Sequence, residues 1–222
     1  MQQAENPELA RYNMIEQQIR PWEVLDERVL EVMGTLPREL FVPMGWQHLA
    51  YADTEIPLGS HGHHMMAPKV EARLMQALEL QPTDRVLEIG TGSGYLAACL
   101  SRLARQVDTV EIHADYSARA GAHLHALGID NVIRHTGDAA HGWGEEKRFD
   151  AIAVTASMPV YHEGFERALR IGGRLFVIIG QDPVMEAMLV RRLGEDEYAR
   201  EFLFETRIEP LDGLLPPAEF RF

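Results

Sequence analysis

The sequence predicts an α/β protein whose mostly parallel sheet is covered by helices on both faces. Two features carry that expectation. From Pro82 onward, short apolar runs with strand character alternate with segments of helical period, as in a parallel sheet wrapped by crossover helices. The first of those runs then passes through a glycine-rich turn, Gly90-Thr-Gly-Ser-Gly94, directly into a helical segment, the kind of junction at which open α/β sheets bind ligands.

Taken along the chain, residues 8–19 read as a helix that Pro21 stops, and Asp26 can cap a short helix over 27–33. Pro37 opens another turn and Pro43 closes it. Residues 50–67 show no clear period and hold Pro57, Gly59, Gly62 and three histidines, which predicts a long loop; such loops inside compact domains usually serve a function. A helix follows over 68–80, where Val70, Leu74, Ala77 and Leu78 recur at helical spacing behind a proline suited to the first turn. The strands expected next are 85–89, 107–111, 132–136, 149–154 and 173–179, with helices over 95–104, 116–127 and 160–169 between them. Segments 185–193 and 201–209 flank the polar turn Gly194-Glu-Asp-Glu197 and should pair as an antiparallel hairpin at the sheet edge. The sum is a Rossmann-like, seven-stranded core over residues 81–222. A helical extension and loop over 1–80 precede it within a single structural domain.

Composition narrows the function classes. The chain has 222 residues, 46% hydrophobic and 25% charged, which is enough for one sizeable core. A formal net charge of -13 repels phosphate backbones, so no nucleic-acid partner is expected. Cys99, the single cysteine, lies in the apolar run 96–100 and reads as a buried thiol in a reducing compartment. The opening residues are polar and acidic, which predicts no signal peptide, and no apolar stretch reaches the roughly 18 residues of a membrane span. A cytoplasmic protein without a membrane partner is therefore expected, with a monomer as the default.

The glycine turn is informative through what surrounds it. A dinucleotide site would carry glycine at 90 and 92 and glycine or alanine at 95, so that a helix N-terminus could hold the pyrophosphate. Position 95 is tyrosine, and the glycines fall at 90, 92 and 94. Glu88, on the strand end just before them, would oppose a phosphate but suits an ammonium or sulfonium ligand. S-adenosylmethionine carries both cations and no phosphate. Glu111 closes the next strand, about 20 residues after the first glycine, where a carboxylate can accept both ribose hydroxyls. Gly137-Asp138-Ala139 follows the third strand, and Asp138 can accept from an adenine amino group. The expected cofactor contacts are Glu88, Gly90, Thr91, Gly92, Ser93, Gly94, Glu111, Ile112, Gly137, Asp138 and Ala139. Taken singly, each has a plainer explanation: a glycine-rich turn is also an ordinary tight connection, and Gly-Asp is a common turn. Three acids at three successive strand ends are what favour the cofactor.

At this point a family resemblance enters. Over nearly its whole length the chain resembles the protein-L-isoaspartate O-methyltransferases, which are class I S-adenosylmethionine-dependent methyltransferases. The strings that carry the likeness are Met14-Ile-Glu-Gln-Gln-Ile-Arg-Pro21, Pro37-Arg-Glu, Phe41-Val-Pro43, Ala50-Tyr-Ala-Asp53, Ile56-Pro-Leu-Gly59, Val86-Leu-Glu-Ile-Gly-Thr-Gly-Ser-Gly-Tyr95, Leu127-Gly and Gly172-Gly-Arg174. The glycine loop is shared with many methyltransferases; the N-terminal strings are more particular. The resemblance implies methylation of the misplaced α-carboxylate of isoaspartyl residues in damaged proteins or peptides, the first step of their repair. A carboxylate is already a nucleophile at pH 7, so this chemistry needs alignment and water exclusion rather than a base.

One departure bears on the acceptor. Where the family has a Thr-Ile-Ser-Gln-Pro type of string, this chain reads His64-Met65-Met66-Ala67-Pro68, so Met66 occupies the position of the serine that helps hold the substrate carboxylate. Methionine donates no hydrogen bond. His64, Thr155, Ser157 or loop amides could compensate, and the expected acceptor contacts are His64, Met65, Met66, Ala67, Thr155 and Ser157. No catalytic residue is singled out. His61, His63 and His64 cluster on a glycine loop, but no cysteine or acid near them in sequence completes a metal shell, so no metal is expected. Besides the isoaspartyl methyltransferase, two functions remain open. One is a methyltransferase for another carboxylate or a small molecule; the other is a cofactor-binding relative without turnover.

Overall fold

The computed structural model describes residues 6–59, 61–144 and 148–214. Asn6 caps helix α1 (Pro7–Met14) by accepting from the amide of Glu8, and Asp26 caps α2 (Glu27–Thr35) by accepting from that of Arg28. Past Met14 the chain continues as a wider π-turn (Ile15–Ile19) and then a tight turn (Arg20–Trp22) containing Pro21, so the expected helix over 8–19 is present but not uniformly wound. A short turn over Arg38–Phe41 lies between Pro37 and Pro43 as expected.

The long loop is more ordered than its sequence suggests. Strands β1 (Ile56–Pro57) and β2 (His64–Met65) pair antiparallel, with Ile56 opposite Met65. Two residues per strand are too few to show a period. The reason for the pairing is burial: Ile56, Leu58 and Met65 all point into the core. Helix α3 (Pro68–Leu78) follows and ends at Glu79, which has a left-handed backbone.

Strands β3 (Arg85–Ile89), β4 (Gln106–Glu111), β5 (Val132–Thr136), β6 (Phe149–Met158), β7 (Leu169–Gln181), β8 (Val184–Arg192) and β9 (Tyr198–Thr206) form one sheet in the order β5-β4-β3-β6-β7-β8-β9. The pairs from β5 through β7 are parallel, and β7-β8-β9 is an antiparallel meander. Helices α4 (Tyr95–Leu103), α5 (Ala114–Ala126) and α6 (Glu163–Arg167) connect the parallel strands. This is the α/β sheet with a C-terminal hairpin that the strand-helix alternation predicts.

Strands β6 and β7 run longer than the expected 149–154 and 173–179, and helix α6 and strand β9 differ from expectation for local reasons. Helix α6 is shorter than 160–169, because Val160 is exposed and Leu169 already belongs to β7, where it pairs with Phe149. Strand β9 begins three residues earlier than expected. The Leu193 amide donates to the Glu197 carbonyl, and that tight turn sets Arg192 opposite Tyr198. Residues 207–211 consequently leave the hairpin. They run beside the end of β6 instead, where the Ser157 amide donates to Glu209 and the Leu211 amide to Ser157.

The chain reverses direction across the sheet between β3 and β6, since β4 and β5 extend on one side of β3 and β6 starts the other. A crevice opens at such a switch point. The N-terminal helices, the β1–β2 hairpin and one face of the sheet share a single apolar cluster, which includes Met14, Met33, Ile56, Leu74, Ala151 and Phe176. Cys99 is buried within it, as its apolar surroundings predict. Among the described residues, no helix is long and apolar enough to cross a membrane.

Candidate functional site

The glycine turn is held by contacts that explain its composition. Gly90 has a φ of +96°, and a Cβ there would collide with the Thr155 hydroxyl, which donates to the carbonyls of Ile89 and Gly90 at 2.8 Å each. Gly94 precedes α4 in a left-handed conformation, and a Cβ would come within 2.8 Å of Ala120 on α5. Gly94 thus lets two helices approach; it is not among the residues lining the cleft.

Beside this turn lies a cleft enclosing about 670 Å³ of space between protein atoms, its open mouth included. Gly90, Gly92, Glu111, Ile112, Gly137, Asp138 and Ala139 line it, so the ends of β3, β4 and β5 converge as the sequence predicts. A deeper compartment continues past Gly90 and Gly92 and is walled by Glu88, Thr91, Ser93, Met65 and Met66. His64 and Thr155 border both spaces.

Glu111 is almost fully buried and already organised: Oε2 accepts from the Gly92 amide at 2.8 Å and Oε1 from the His113 amide at 3.0 Å. Each oxygen keeps a further lone pair for a ligand hydroxyl. The Asp138 Oδ1 accepts from the Ala140 amide at 2.9 Å, which fixes the turn after β5. Glu88 is completely buried. One of its oxygens accepts from the Thr109 hydroxyl, itself paired with Thr91, while Oε1 has no hydrogen-bond partner among the described residues. Burial, reinforced by the nearby Glu111 and Glu71, pushes the Glu88 carboxyl up to about 8 against the pull of Thr109. An unpartnered carboxyl oxygen on the wall of the deeper compartment is the feature a cationic ammonium would satisfy, and the cation would favour the ionised form of Glu88.

The wall of the deeper compartment around Met66 is built on a buried pair. Arg38, from the Pro37-Arg-Glu string, forms an ion pair with Glu71 on α3 and donates through Nη2 to the Met66 carbonyl at 2.6 Å. Its guanidinium also lies over the Tyr95 ring, 4.6 Å from the centroid. Burial pushes the Glu71 carboxyl up to about 7 even though Arg38 opposes the shift. Arg38 therefore anchors the backbone of the His64–Met66 segment at the inner wall of the deeper compartment.

Two expected acceptor contacts are placed elsewhere. Ser157 is buried, with its hydroxyl donating to the Ile208 carbonyl at 3.0 Å, so it holds the returning C-terminal segment and does not line either space. Ala67 is buried immediately before α3 and is likewise not among the lining residues. Thr155 does border the cleft, though its hydroxyl is engaged by the glycine turn.

Several wall residues escaped the sequence: Leu58, His113, Tyr116 and the segment from Ile208 to Asp212. His113 and Tyr116 follow the Glu111 strand end and were within reach of a motif argument. The C-terminal segment had no local signal, because only pairing with β6 brings it to the cleft. The same folding corrects the reason for expecting no metal shell around the loop histidines. Their acidic neighbours come from afar: His61 meets Asp115, His63 meets Asp212, and His64 lies 2.5 Å from Glu209.

Comparison with known proteins decides the family. The family model described as Protein-L-isoaspartate(D-aspartate) O-methyltransferase matches residues 10–213. The chain belongs to that family. A Protein-L-isoaspartate O-methyltransferase 2 from Pelobacter propionicus is 41% identical over 209 residues, covering 94% of this chain and 92% of the relative. A Protein-L-isoaspartate O-methyltransferase from Koribacter versatilis is 40% identical over 92% of this chain and 91% of its own length. Among solved structures, a protein-L-isoaspartate O-methyltransferase superposes with a TM-score of 0.80 at 26% identity, covering 95% of this chain and 67% of that one. A Plasmodium falciparum protein titled as a putative member of the same family, in complex with S-adenosyl-L-homocysteine, shares the fold with a TM-score of 0.77 at 23% identity, over 94% of this chain and 99% of its own.

Proposed function

We propose that this protein is an S-adenosylmethionine-dependent protein carboxyl O-methyltransferase that acts on the free α-carboxylate of L-isoaspartyl residues in damaged proteins. The observation that carries the reading is a cleft walled by Glu111 and Asp138 that adjoins a deeper compartment walled by Glu88 under the His64–Met66 segment, so that acids from three successive strand ends face one connected space, in a chain of this family. Glu88 Oε1 would take the ammonium of the cofactor, Glu111 the ribose hydroxyls, and the Gly137-Asp138-Ala139 turn the adenine end, with Ile112 against the ring. When bound, the cofactor supplies an electrophilic methyl group on a sulfonium. The chain's own task is then to align an acceptor carboxylate and exclude water. Arg38 keeps the acceptor segment in place, and the β1–β2 hairpin covers the compartment. No general base is required, because the acceptor is already ionised at neutral pH.

Supporting the same reading, a net charge of -13 disfavours nucleic acid as a partner. Cytosolic action as a monomer on peptide segments completes the proposal.

A synthetic isoaspartyl peptide and methyl-labelled cofactor test it. Transfer to that peptide and not to its normal aspartyl counterpart is expected. Equal transfer to aged and fresh protein would favour a different acceptor, the second reading that Met66 makes concrete by standing where the family serine binds.

A further inference from the structure

Three segments distant in sequence meet at the mouth of the cleft through one knot of side chains. His63 comes from the turn between β1 and β2, His113 from just beyond β4, and Asp212 from the segment that returns past β9. His63 Nε2 lies 3.1 Å from Asp212 Oδ2, His113 Nε2 lies 2.7 Å from the same oxygen, and the two nitrogens are 3.3 Å apart. Three ligands each about 2.0–2.1 Å from one ion, at octahedral to tetrahedral angles, stand about 2.9–3.4 Å from one another. The separations from His63 fall within that spacing, and the His113–Asp212 separation is 0.2 Å shorter than its lower end.

We propose that His63, His113 and Asp212 form a binding site for a divalent ion of the zinc class, which fastens the hairpin turn and the C-terminal segment to the end of β4 across the mouth of the cleft. Two imidazole nitrogens with one carboxylate suit zinc and its neighbours in the first transition row; magnesium and calcium prefer all-oxygen shells. The three side chains are partly exposed, so an ion can enter from solvent and keep water in its remaining positions. The His113 ring is supported on its other side, where His61 stacks on it with centroids 3.7 Å apart and itself bonds to Asp115 at 3.1 Å. That stacking restricts the rotation of the His113 ring. The sequence argued against a metal because it sought acids beside the histidines. Asp212 is supplied by the fold.

The consequence is kinetic. All three residues border the cleft, so an ion that joins them closes a route by which cofactor enters and leaves. Zinc titration of the full-length protein, followed by competition with a chromogenic chelator, tests binding independently of methyl transfer. One ion per chain with micromolar or tighter affinity is expected, weakened at least tenfold in both His63→Ala and Asp212→Asn and unchanged in His125→Ala, an exposed histidine on α5. Dissociation of S-adenosylhomocysteine should slow severalfold when zinc is added to the parent protein but not to the two variants. Thermal melts of the metal-free variants matching the parent show that they fold. Cobalt substituted into the parent adds a visible spectrum that reports nitrogen and oxygen ligation. Zinc affinity equal in all four proteins overturns the proposal. So does loss of binding in His64→Ala with retention in His63→Ala, which would place the ion at the separate cluster of Glu55, His64 and Glu209.

Discussion

Glu88 shows how one buried side chain can carry both a stability cost and a binding function. Its carboxyl titrates near 8 in the folded chain against an ordinary value of 4.5, because burial disfavours the charge. A raised carboxyl contributes stability that is complete below about pH 4.5 and disappears as pH climbs through 8. Glu88→Gln, which stays neutral, should therefore melt close to the parent at pH 4.5. At pH 9 it should be more stable by about 2–4 kcal/mol. Melting curves at both pH values check this, and an identical difference at the two would contradict it. The same variant should bind cofactor at least tenfold more weakly, since in the proposed function Glu88 is the partner of the ammonium. The Glu111 carboxylate organises the Gly92 and His113 amides, and in the proposed function it also takes the ribose hydroxyls, so Glu111→Ala should weaken cofactor binding by about 1.5–3 kcal/mol in calorimetry. Met66→Ser places a hydroxyl where the proposed function puts the acceptor and empties part of a buried site. Its expected signature is a lower melting temperature together with a higher kcat/KM for an isoaspartyl peptide.

At the scale of elements, the site depends on how closely β3 and its turn approach their neighbours. Gly94 sits where α4 and α5 nearly touch, with Ala120 opposite it, and its left-handed backbone penalises any branched side chain as well. Gly94→Val should destabilise the protein by about 2–4 kcal/mol in chemical denaturation and should lower cofactor affinity by displacing the turn. A wild-type midpoint in that variant would mean that the helices can separate without disturbing the site. The small β1–β2 hairpin belongs to the same argument. It was invisible as a pattern because each strand holds only two residues, yet Ile56 and Met65 bury as a pair and so place His63 and His64 over the cleft.

Across the whole molecule, the cleft is lined by the N-terminal hairpin, the central strand ends and the C-terminal segment together. Ligand binding should therefore stabilise the fold as a unit. S-adenosylhomocysteine at about 100 times its Kd adds about 2.7 kcal/mol, which for a chain of this size raises Tm by roughly 5–10 °C in scanning calorimetry. A single sharpened transition is expected, and a second transition that ignores the ligand would show that the N-terminal region melts on its own.

By itself the sequence determined the alternation of strands and helices, the glycine turn, and the acids at positions 88, 111 and 138. These are local properties: period, turn chemistry and a charge at a strand end are written within a few residues of one another. Tertiary structure decided what those residues meet. It bonded the Ser157 hydroxyl to the Ile208 carbonyl, engaged Thr155 with the glycine turn, buried Arg38 beneath Met66, and carried Asp212 to His63. Each of those contacts joins positions between 28 and 149 residues apart. No local pattern encodes such a distance; only the packing of the sheet against its helices and the return of the C-terminal segment along β6 can close it.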